Sequence, residues 1–120
     1  MQLSNLLIAV MAATVSADCH RSGDKWNNRV AAREAITKAC SKGGELFGSY
    51  GISQMKPACA NSGDKQKMNF EVQNTANSER TLSVSECIYR LYNEVNGCDR
   101  GGRTTADNWV FQSDPNAGQC

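Results

Sequence analysis

The clearest hydrophobic pattern in the chain spans Leu82–Cys98. Its apolar side chains recur at helical spacing, which places them in one stripe along one side of a helix. Ser83 and Glu86 match the S-x-x-E capping box, which satisfies two backbone N–H groups at a helix start. The pattern predicts a helix over Leu82–Cys98 that ends at a left-handed Gly97. The stripe consists of Val84, Cys87, Ile88, Leu91 and Val95.

A second amphipathic pattern predicts a helix over Lys25–Ser41, capped by Ser22 or Asp24 and ended by the Gly43-Gly44 pair. Small residues dominate its apolar side, which favours close packing against a sheet. The stripe consists of Ala32, Ala35, Ile36, Ala39 and Cys40.

Strict alternation of apolar and polar residues predicts a half-buried strand over Lys67–Gln73. Shorter strands are predicted at Glu45–Tyr50 and Trp109–Gln112, and Arg80–Leu82 is expected to be extended. Turns or loops are predicted over Gly51–Pro57, Asn61–Asp64, Asp99–Asn108 and Asp114–Gly118.

The predicted order is therefore α-β-β-α-β, an α+β chain. A compact two-layer α/β sandwich, with both helices on one side of the sheet, buries every apolar stripe. Cys40 and Cys87 lie on the two inner stripes, so neighbouring helices would favour a Cys40–Cys87 bridge. The cysteine at the end of the chain, Cys120, would then pair with Cys59 or Cys98.

Residues 1–17 are expected to be a secretory signal peptide. Leu6–Val15 is an apolar run too short to span a membrane, and small residues at Val15–Ala17 suit cleavage after Ala17. Residues 18–120 are expected to form a single disulfide-stabilised domain that is secreted to the extracellular space. Six cysteines in a small exported chain indicate three disulfides. They are Cys19, Cys40, Cys59, Cys87, Cys98 and Cys120.

The formal net charge of +1 gives no reason to expect nucleic acid as a partner. There is no C-x-x-C pair and only one histidine, so neither a metal nor another cofactor is expected. No apolar segment follows the leader, so no membrane span is expected in the exported domain.

Catalytic chemistry is weakly indicated. His20 is the only side chain that titrates near neutral pH by default, and it is expected to be a mobile residue near the start of the exported domain. A ribonuclease would need a second acid or base beside it, such as Glu71 or Glu45, and nothing in the sequence brings these residues together. We therefore expect a protein that is not an enzyme.

Several stretches resemble the small secreted fungal glycan-binding proteins of the Y-three-like family, a group of cysteine-rich mushroom lectins. They cover essentially the whole exported domain and all six cysteines. The stretches are C-H-R-S-G-D-K-W from Cys19, M-N-F-E-V-Q-N from Met68, R-T-L-S-V-S-E-C from Arg80, N-G-C-D-R-G-G-R-T-T from Asn96 and N-W-V-F-Q-S-D-P-N-A-G-Q-C from Asn108. The resemblance implies carbohydrate binding.

A more distant similarity connects the chain to killer toxins of the KP-four type, through Val72-Gln73 and the helix ending at Asn96–Cys98. It implies an α/β sandwich with the disulfides Cys40–Cys87, Cys59–Cys120 and Cys19–Cys98. Those toxins carry additional cysteines that this chain lacks.

A glycan site needs an apolar platform for a sugar face and planar polar groups for its hydroxyls. The predicted loop after Cys98 offers both, and its arginines suit a carboxylate or sulfate. Solvated loop residues and a core tryptophan are the competing interpretation, and Trp26 and Tyr50 are second-rank platforms. The candidate residues are Asp99, Arg100, Arg103, Thr104, Asp107, Asn108 and Trp109.

We therefore expect a secreted, non-catalytic, lectin-like protein whose partner is a cell-surface glycan or glycoprotein. The alternative is a secreted effector or killer-type toxin that acts on host or competitor cells. A homodimer is one oligomeric state open to such a domain.

Overall fold

The computed structural model describes residues 17–120. The signal peptide expected over residues 1–17 therefore lies, except for its last residue, outside the described part. Two helices, α1 (Arg29–Cys40) and α2 (Val84–Gly97), alternate with strands. The strands are β1 (Asp18–Cys19), β2 (Gly48–Tyr50), β3 (Met55–Ser62), β4 (Gln66–Asn74), β5 (Arg80–Leu82), β6 (Gly102–Ala106) and β7 (Trp109–Ala117).

The main sheet has five antiparallel strands in the order β1-β6-β7-β4-β3. The β4–β7 pair forms its centre, with Gln66 opposite Ala117 and Asn74 opposite Trp109. A separate antiparallel pair joins β2 to β5. The described chain is thus α+β, and its order, β-α-β-β-β-β-α-β-β, corrects the expected α-β-β-α-β.

The core lies between the helices and one face of the main sheet. Met68, Phe70 and Val72 alternate inward along β4, as their pattern predicted, and are almost completely buried. Ile36 of α1 and Leu91 of α2 belong to the same core and are fully buried. Both helices cover this face, while the residues that alternate with the core positions lie on the opposite face of the sheet.

Helix α2 follows its sequence signals closely. Ser83 is the N-cap, and its hydroxyl accepts a hydrogen bond from the backbone N–H of Glu86 at 3.1 Å. Glu86 pairs with Arg90 at 2.8 Å, as expected for residues four apart. Gly97, however, continues the helix, and the extended C-cap is Cys98, with φ −134°. The bridge at Cys98 holds the chain where we expected a left-handed glycine to turn it.

Helix α1 begins later than predicted, at Arg29, with Asn28 as its N-cap. The Asn28 carboxamide accepts from the N–H of Ala31 at 3.0 Å. The preceding residues are held outside the helix by distant partners. The backbone N–H of Trp26 donates to the carbonyl of Asp99 at 3.0 Å, and that of Asn27 donates to the side chain of Gln66 at 2.9 Å.

Two predicted loops are strands. Strand β3 (Met55–Ser62) pairs with β4 along its whole length, and β6 (Gly102–Ala106) pairs with both β1 and β7. Their sequences are rich in small and polar residues, so the pattern alone gives little strand signal. Pro57 is tolerated in β3 because that strand lies at the edge of the sheet.

The turn predicted over Asp114–Gly118 is also wrong for most of its length, because β7 continues to Ala117. The register explains how Pro115 fits in this strand. Strand β6 begins at Gly102, which lies opposite Ser113 of β7. Pro115 lies beyond this point, so β6 offers it no hydrogen-bonding partner. The missing N–H of the proline therefore costs no ladder hydrogen bond.

Three disulfides join Cys19 to Cys98, Cys40 to Cys87 and Cys59 to Cys120. The second bridge confirms the pairing inferred from the two inner helix stripes. All three confirm the pairing that the toxin similarity implied. Cys40 and Cys87 are each about 1% exposed, so their bridge is part of the core.

We expect the double substitution Cys40→Ala, Cys87→Ala to lower the free energy of unfolding by about 2–4 kcal/mol. The matched control is Cys59→Ala, Cys120→Ala, which removes a bridge between exposed cysteines. The control should lower the free energy of unfolding by less, since no core contacts are lost. Urea unfolding of both oxidised variants measures the difference. An equal or larger loss in the control would show that chain entropy, rather than packing, dominates.

Candidate functional site

Asp99 and Arg100, predicted to bind a glycan, instead tie the end of α2 to the start of the domain. One Asp99 carboxylate oxygen accepts from Nη2 of Arg29 at 2.8 Å. Nη1 of Arg100 donates to the carbonyl of Gly23. Both side chains thus have structural partners, although the carboxylate of Asp99 remains largely exposed.

Arg103 lies on β6, opposite Gln112 of β7 and Asp18 of β1. Its side chain is exposed, whereas those of the neighbouring Gly102 and Thr104 positions are buried. Arg103 therefore belongs to the polar face of the sheet that the helices leave uncovered. Thr104 points in the opposite direction, into the interior.

Asp107 and Asn108 form the two-residue turn between β6 and β7. Both have positive φ values, 52° and 61°, as hairpin turns of the primed types require. Arg80, which the sequence analysis did not single out, donates to the carbonyls of Asp107 at 2.8 Å and Asn108 at 2.6 Å. The guanidinium fork of Arg80 thus fixes the backbone of this turn.

Trp109 is only 5% exposed. Its ring meets that of Tyr50 edge to face at 5.1 Å, and the Arg80 guanidinium lies 4.3 Å from its centroid. The ring therefore offers no open face to a sugar. Trp26 and Tyr50 are buried as well, with Trp26 Nε1 donating to the carbonyl of Cys98 at 2.9 Å.

The predicted site residues consequently do not converge. Asp99 and Arg100 lie at one end of β6, the Asp107–Asn108 turn lies at the other, and Trp109 faces the core. A strand in this region separates residues that a flexible loop would have brought together. Of the predicted set, Arg103 alone lies on the open sheet face.

A cavity that the sequence analysis did not anticipate lies beside α2. It has a volume of about 460 Å³. Three side chains of α2 face it, and they follow one another at spacings of four and three residues, which places them on one side of the helix. Backbone and cysteine atoms close its other walls. The lining residues are Ala17, Cys19, Tyr89, Asn93, Asn96, Gly97 and Cys98.

This α2 cavity combines an aromatic ring with two carboxamides. Tyr89 is 58% exposed, so its ring is accessible to a ligand from solvent. Asn96 is oriented by Arg33, whose Nη1 donates to the side-chain oxygen of Asn96 at 2.9 Å, which leaves the amide group of Asn96 free to donate. The signal was present in the sequence as Y-x-x-x-N-x-x-N on the polar side of the predicted helix.

The electrostatics of the cavity favour an uncharged ligand. None of its described lining residues carries a charged side chain. Two cations lie beside the lining residues, and both have partners: Arg33 donates to Asn96, and Arg90, whose guanidinium lies 5.3 Å from the Tyr89 ring centroid, is paired with Glu86. The site can therefore stack a ligand ring and exchange hydrogen bonds with it, without needing an opposite charge.

His20, which we expected to be a mobile residue, has partners in the folded domain. Its backbone N–H donates to the carbonyl of Gly101 at 2.9 Å, and its Nε2 lies 4.0 Å from a carboxylate oxygen of Asp114. Gly101 has a positive φ of 77° and packs so closely on β7 that a Cβ there would meet the carbonyl of Ser113. The residues suggested as its catalytic partners, Glu71 and Glu45, make no hydrogen bond or ion pair with it among the described residues.

Glu94 is the one buried acid that we identify in residues 17–120. It is fully buried between α2 and the β6–β7 pair. Its Oε2 accepts from the Thr104 hydroxyl at 2.7 Å, while its Oε1 has no hydrogen-bond partner. The hydroxyl of Ser113, which lies nearby, donates to the carbonyl of Leu91 instead.

Burial raises the pKa of Glu94 to about 8, although the hydrogen bond from Thr104, the polar groups of the nearby Ser113 and the positive charge of Arg103 act in the opposite direction. The carboxyl group is therefore mostly protonated at neutral pH. Desolvation prevails because an ionised carboxylate in this position would face the interior with one oxygen unpaired.

No helix described in residues 17–120 has the length and apolar character needed to cross a membrane. Within the same residues, no cluster of three or more histidine, cysteine, aspartate or glutamate side chains is arranged to hold a metal ion.

We expect Arg80→Lys to lower the free energy of unfolding by about 1–3 kcal/mol, because lysine cannot supply the fork that holds two turn carbonyls. Arg100→Lys is the matched control, since that guanidinium donates to a single exposed carbonyl and should matter less. Thermal and urea unfolding measure both. Equal stability of Arg80→Lys and the wild type would contradict the structural role of the fork.

The buried acid predicts a pH-dependent stability that Glu94→Gln removes. Because the pKa of Glu94 in the folded state is raised, its contribution is fully present below the ordinary value of 4.5 and is lost as the pH rises through about 8. Relative to Glu94→Gln, the wild type should lose up to about 1.4 kcal/mol per pH unit in this window.

Urea unfolding at half-unit steps from pH 4 to pH 9 checks this difference. Glu34→Gln, at an exposed position of α1, is the control and should follow the wild type. If the free energy of unfolding depended on pH in the same way for the wild type and Glu94→Gln, other groups would have to stabilise the ionised carboxylate in the folded state. That result would contradict the prediction.

No family model matches the chain, and no curated protein matches it either. The resemblance to the fungal glycan-binding family therefore stays an expectation from the sequence. The functional argument depends on the α2 cavity, the open sheet face and the chemistry of their side chains.

Proposed function

We propose that the protein is a secreted, non-catalytic carbohydrate-binding protein, and that the α2 cavity is its sugar site. The observation that carries the proposal is the exposed ring of Tyr89 beside the carboxamides of Asn93 and Asn96. An aromatic face suits the apolar face of a sugar ring, and amides donate to and accept from its hydroxyls.

The dimensions of the cavity support this ligand class. From Tyr89 to Asn96 the helix advances by seven residues, or about 10 Å at its usual rise. A site of that length and a volume of about 460 Å³ accommodates one or two sugar rings. The shape is open to solvent, which suits the end of a longer glycan on a cell surface or glycoprotein.

Charge also supports a neutral saccharide. None of the side chains that line the cavity carries a charge that would pair with a sulfate or phosphate, and desolvating such a group without a partner is costly. The chain as a whole carries a net charge of only +1. Both facts disfavour nucleic acid and anionic polysaccharide as the principal ligand.

Secretion is part of the proposal. Three disulfides among the described cysteines are typical of proteins that fold in an oxidising compartment. The expected leader and the resemblance to secreted fungal lectins point the same way. The effector or toxin function, and the homodimer, stay predictions from the sequence.

A glycan array probed with the oxidised protein tests the function. We expect at least one neutral saccharide to bind, with an affinity that falls about tenfold or more in Tyr89→Ala and Asn93→Ala, since each removes one part of the site. Tyr89→Phe should keep most of the affinity because it keeps the ring. Isothermal titration with the best saccharide measures these changes.

Two controls separate the cavity from other surfaces. Ile52→Ala alters another exposed apolar residue, which does not line the cavity, and should bind as the wild type does. The double variant Arg100→Ala, Arg103→Ala tests the originally predicted site and should also retain binding. If this double variant lost binding while Tyr89→Ala bound normally, the sugar would bind at the sheet rather than in the α2 cavity. Absence of any bound saccharide would overturn the proposed function.

A further inference from the structure

Two sides of helix α2 face in different directions: one lines the α2 cavity, and the other packs on the sheet. Asn93 and Asn96 face the α2 cavity, whereas Glu94, between them in sequence, faces the sheet and is fully buried. The same two helical turns therefore carry the proposed ligand contacts and the buried acid. Any displacement that Glu94 imposes on these turns must also move the cavity wall.

The surroundings of Glu94 offer little compensation for a negative charge. From β6, the Thr104 hydroxyl donates to one oxygen, and the positive charge of Arg103 favours the ionised carboxylate. From β7, Ser113 lies beside it, with its hydroxyl donated to Leu91.

The cations of the neighbouring helix are engaged elsewhere. From α1, Arg29 donates to Val95 and Asp99, and Arg33 donates to Asn96. From the β1 side, the imidazole of His20 faces Asp114. None of these groups hydrogen-bonds the Glu94 carboxyl, whose Oε1 has no partner in the described structure.

The ionised carboxylate of Glu94 would draw in water, because its Oε1 has no hydrogen-bond partner and the Ser113 hydroxyl is donated to the carbonyl of Leu91. Water reaches it only if this part of α2 separates from the β6–β7 pair. Bridges at Cys87 and Cys98 hold both ends of the affected segment. The displacement is consequently confined to the turns between them, which carry all three polar side chains of the cavity.

We propose that Glu94 makes the α2 cavity a pH-sensitive site: while its carboxyl group is protonated, α2 stays packed on the sheet and the cavity keeps its binding geometry, and loss of the proton disturbs that geometry and weakens ligand binding. This inference rests on the proposed function. It adds a regulation that the function itself does not require.

The experiment measures the affinity of the best array saccharide from pH 5.5 to pH 9.5 for the wild type, Glu94→Gln and Glu34→Gln. We expect the affinity of the wild type to fall about tenfold or more across a midpoint near pH 8, as the raised pKa of Glu94 requires. Glu94→Gln should bind with an affinity that does not change across this range. Glu34→Gln, the exposed control, should follow the wild type.

A ligand-free measurement separates this inference from the proposed function. The side-chain amide resonances of Asn93 and Asn96 should shift with a midpoint near pH 8 in the wild type and not in Glu94→Gln. If no saccharide binds but these shifts occur, the proposed function fails and the pH-sensitive cavity stands. If a saccharide binds with the same pH dependence in the wild type and Glu94→Gln, the inference is overturned and the function stands.

Thr104→Val provides a second test in case Glu94→Gln does not fold. Removing this hydroxyl removes a hydrogen bond that stabilises the charged carboxylate, so the midpoint should move to higher pH. An unchanged midpoint in Thr104→Val, for both the amide resonances and the affinity, would contradict the role of Glu94.

Discussion

The structure depends on the burial of one face of α2 against the sheet. Leu91 and Val95 are fully buried there, and the helix is tied at Cys87 to α1 and at Cys98 to the start of the domain. A domain of this size buries a small core, so bridges at both ends of its central helix add stability that packing alone supplies poorly. Because the helix is held at both ends, its outer side can carry an exposed tyrosine and two asparagines.

The same constraint explains why the segment after Cys98 is structural rather than a free binding loop. The bridge to Cys19 brings the chain beside β1, and β6 begins four residues after Cys98 as a partner of both β1 and β7. The polar groups that suggested a ligand site are used by the fold: Asp99 holds Arg29, and the turn after β6 is held by Arg80. Polar residues in a small domain often satisfy distant backbone groups, and composition does not distinguish this use from ligand binding.

Glu94 lies where the core of the domain adjoins the proposed sugar site. Its burial costs free energy once it ionises, and a leucine at the same position would serve the core better. Its neighbours in the helix face the proposed sugar site. A displacement of α2 that follows ionisation of Glu94 would therefore also move the residues that shape that site. A buried acid in such a position couples the packing of a helix to the pH without adding any charge to the ligand site.

The sequence determined the parts that depend on local periodicity and on neighbouring residues. These are the capped helix α2, the alternating strand β4, the pairing of Glu86 with Arg90 and, from the two apolar stripes, the Cys40–Cys87 bridge. Tertiary structure alone decided the rest, because it depends on partners distant in sequence. Strands β3 and β6 exist through pairing rather than through their own pattern, and α1 begins at Arg29 because remote groups bind Trp26 and Asn27. The cavity beside Tyr89 likewise requires the Cys19–Cys98 bridge to bring its opposite wall within reach, which no single stretch of sequence encodes.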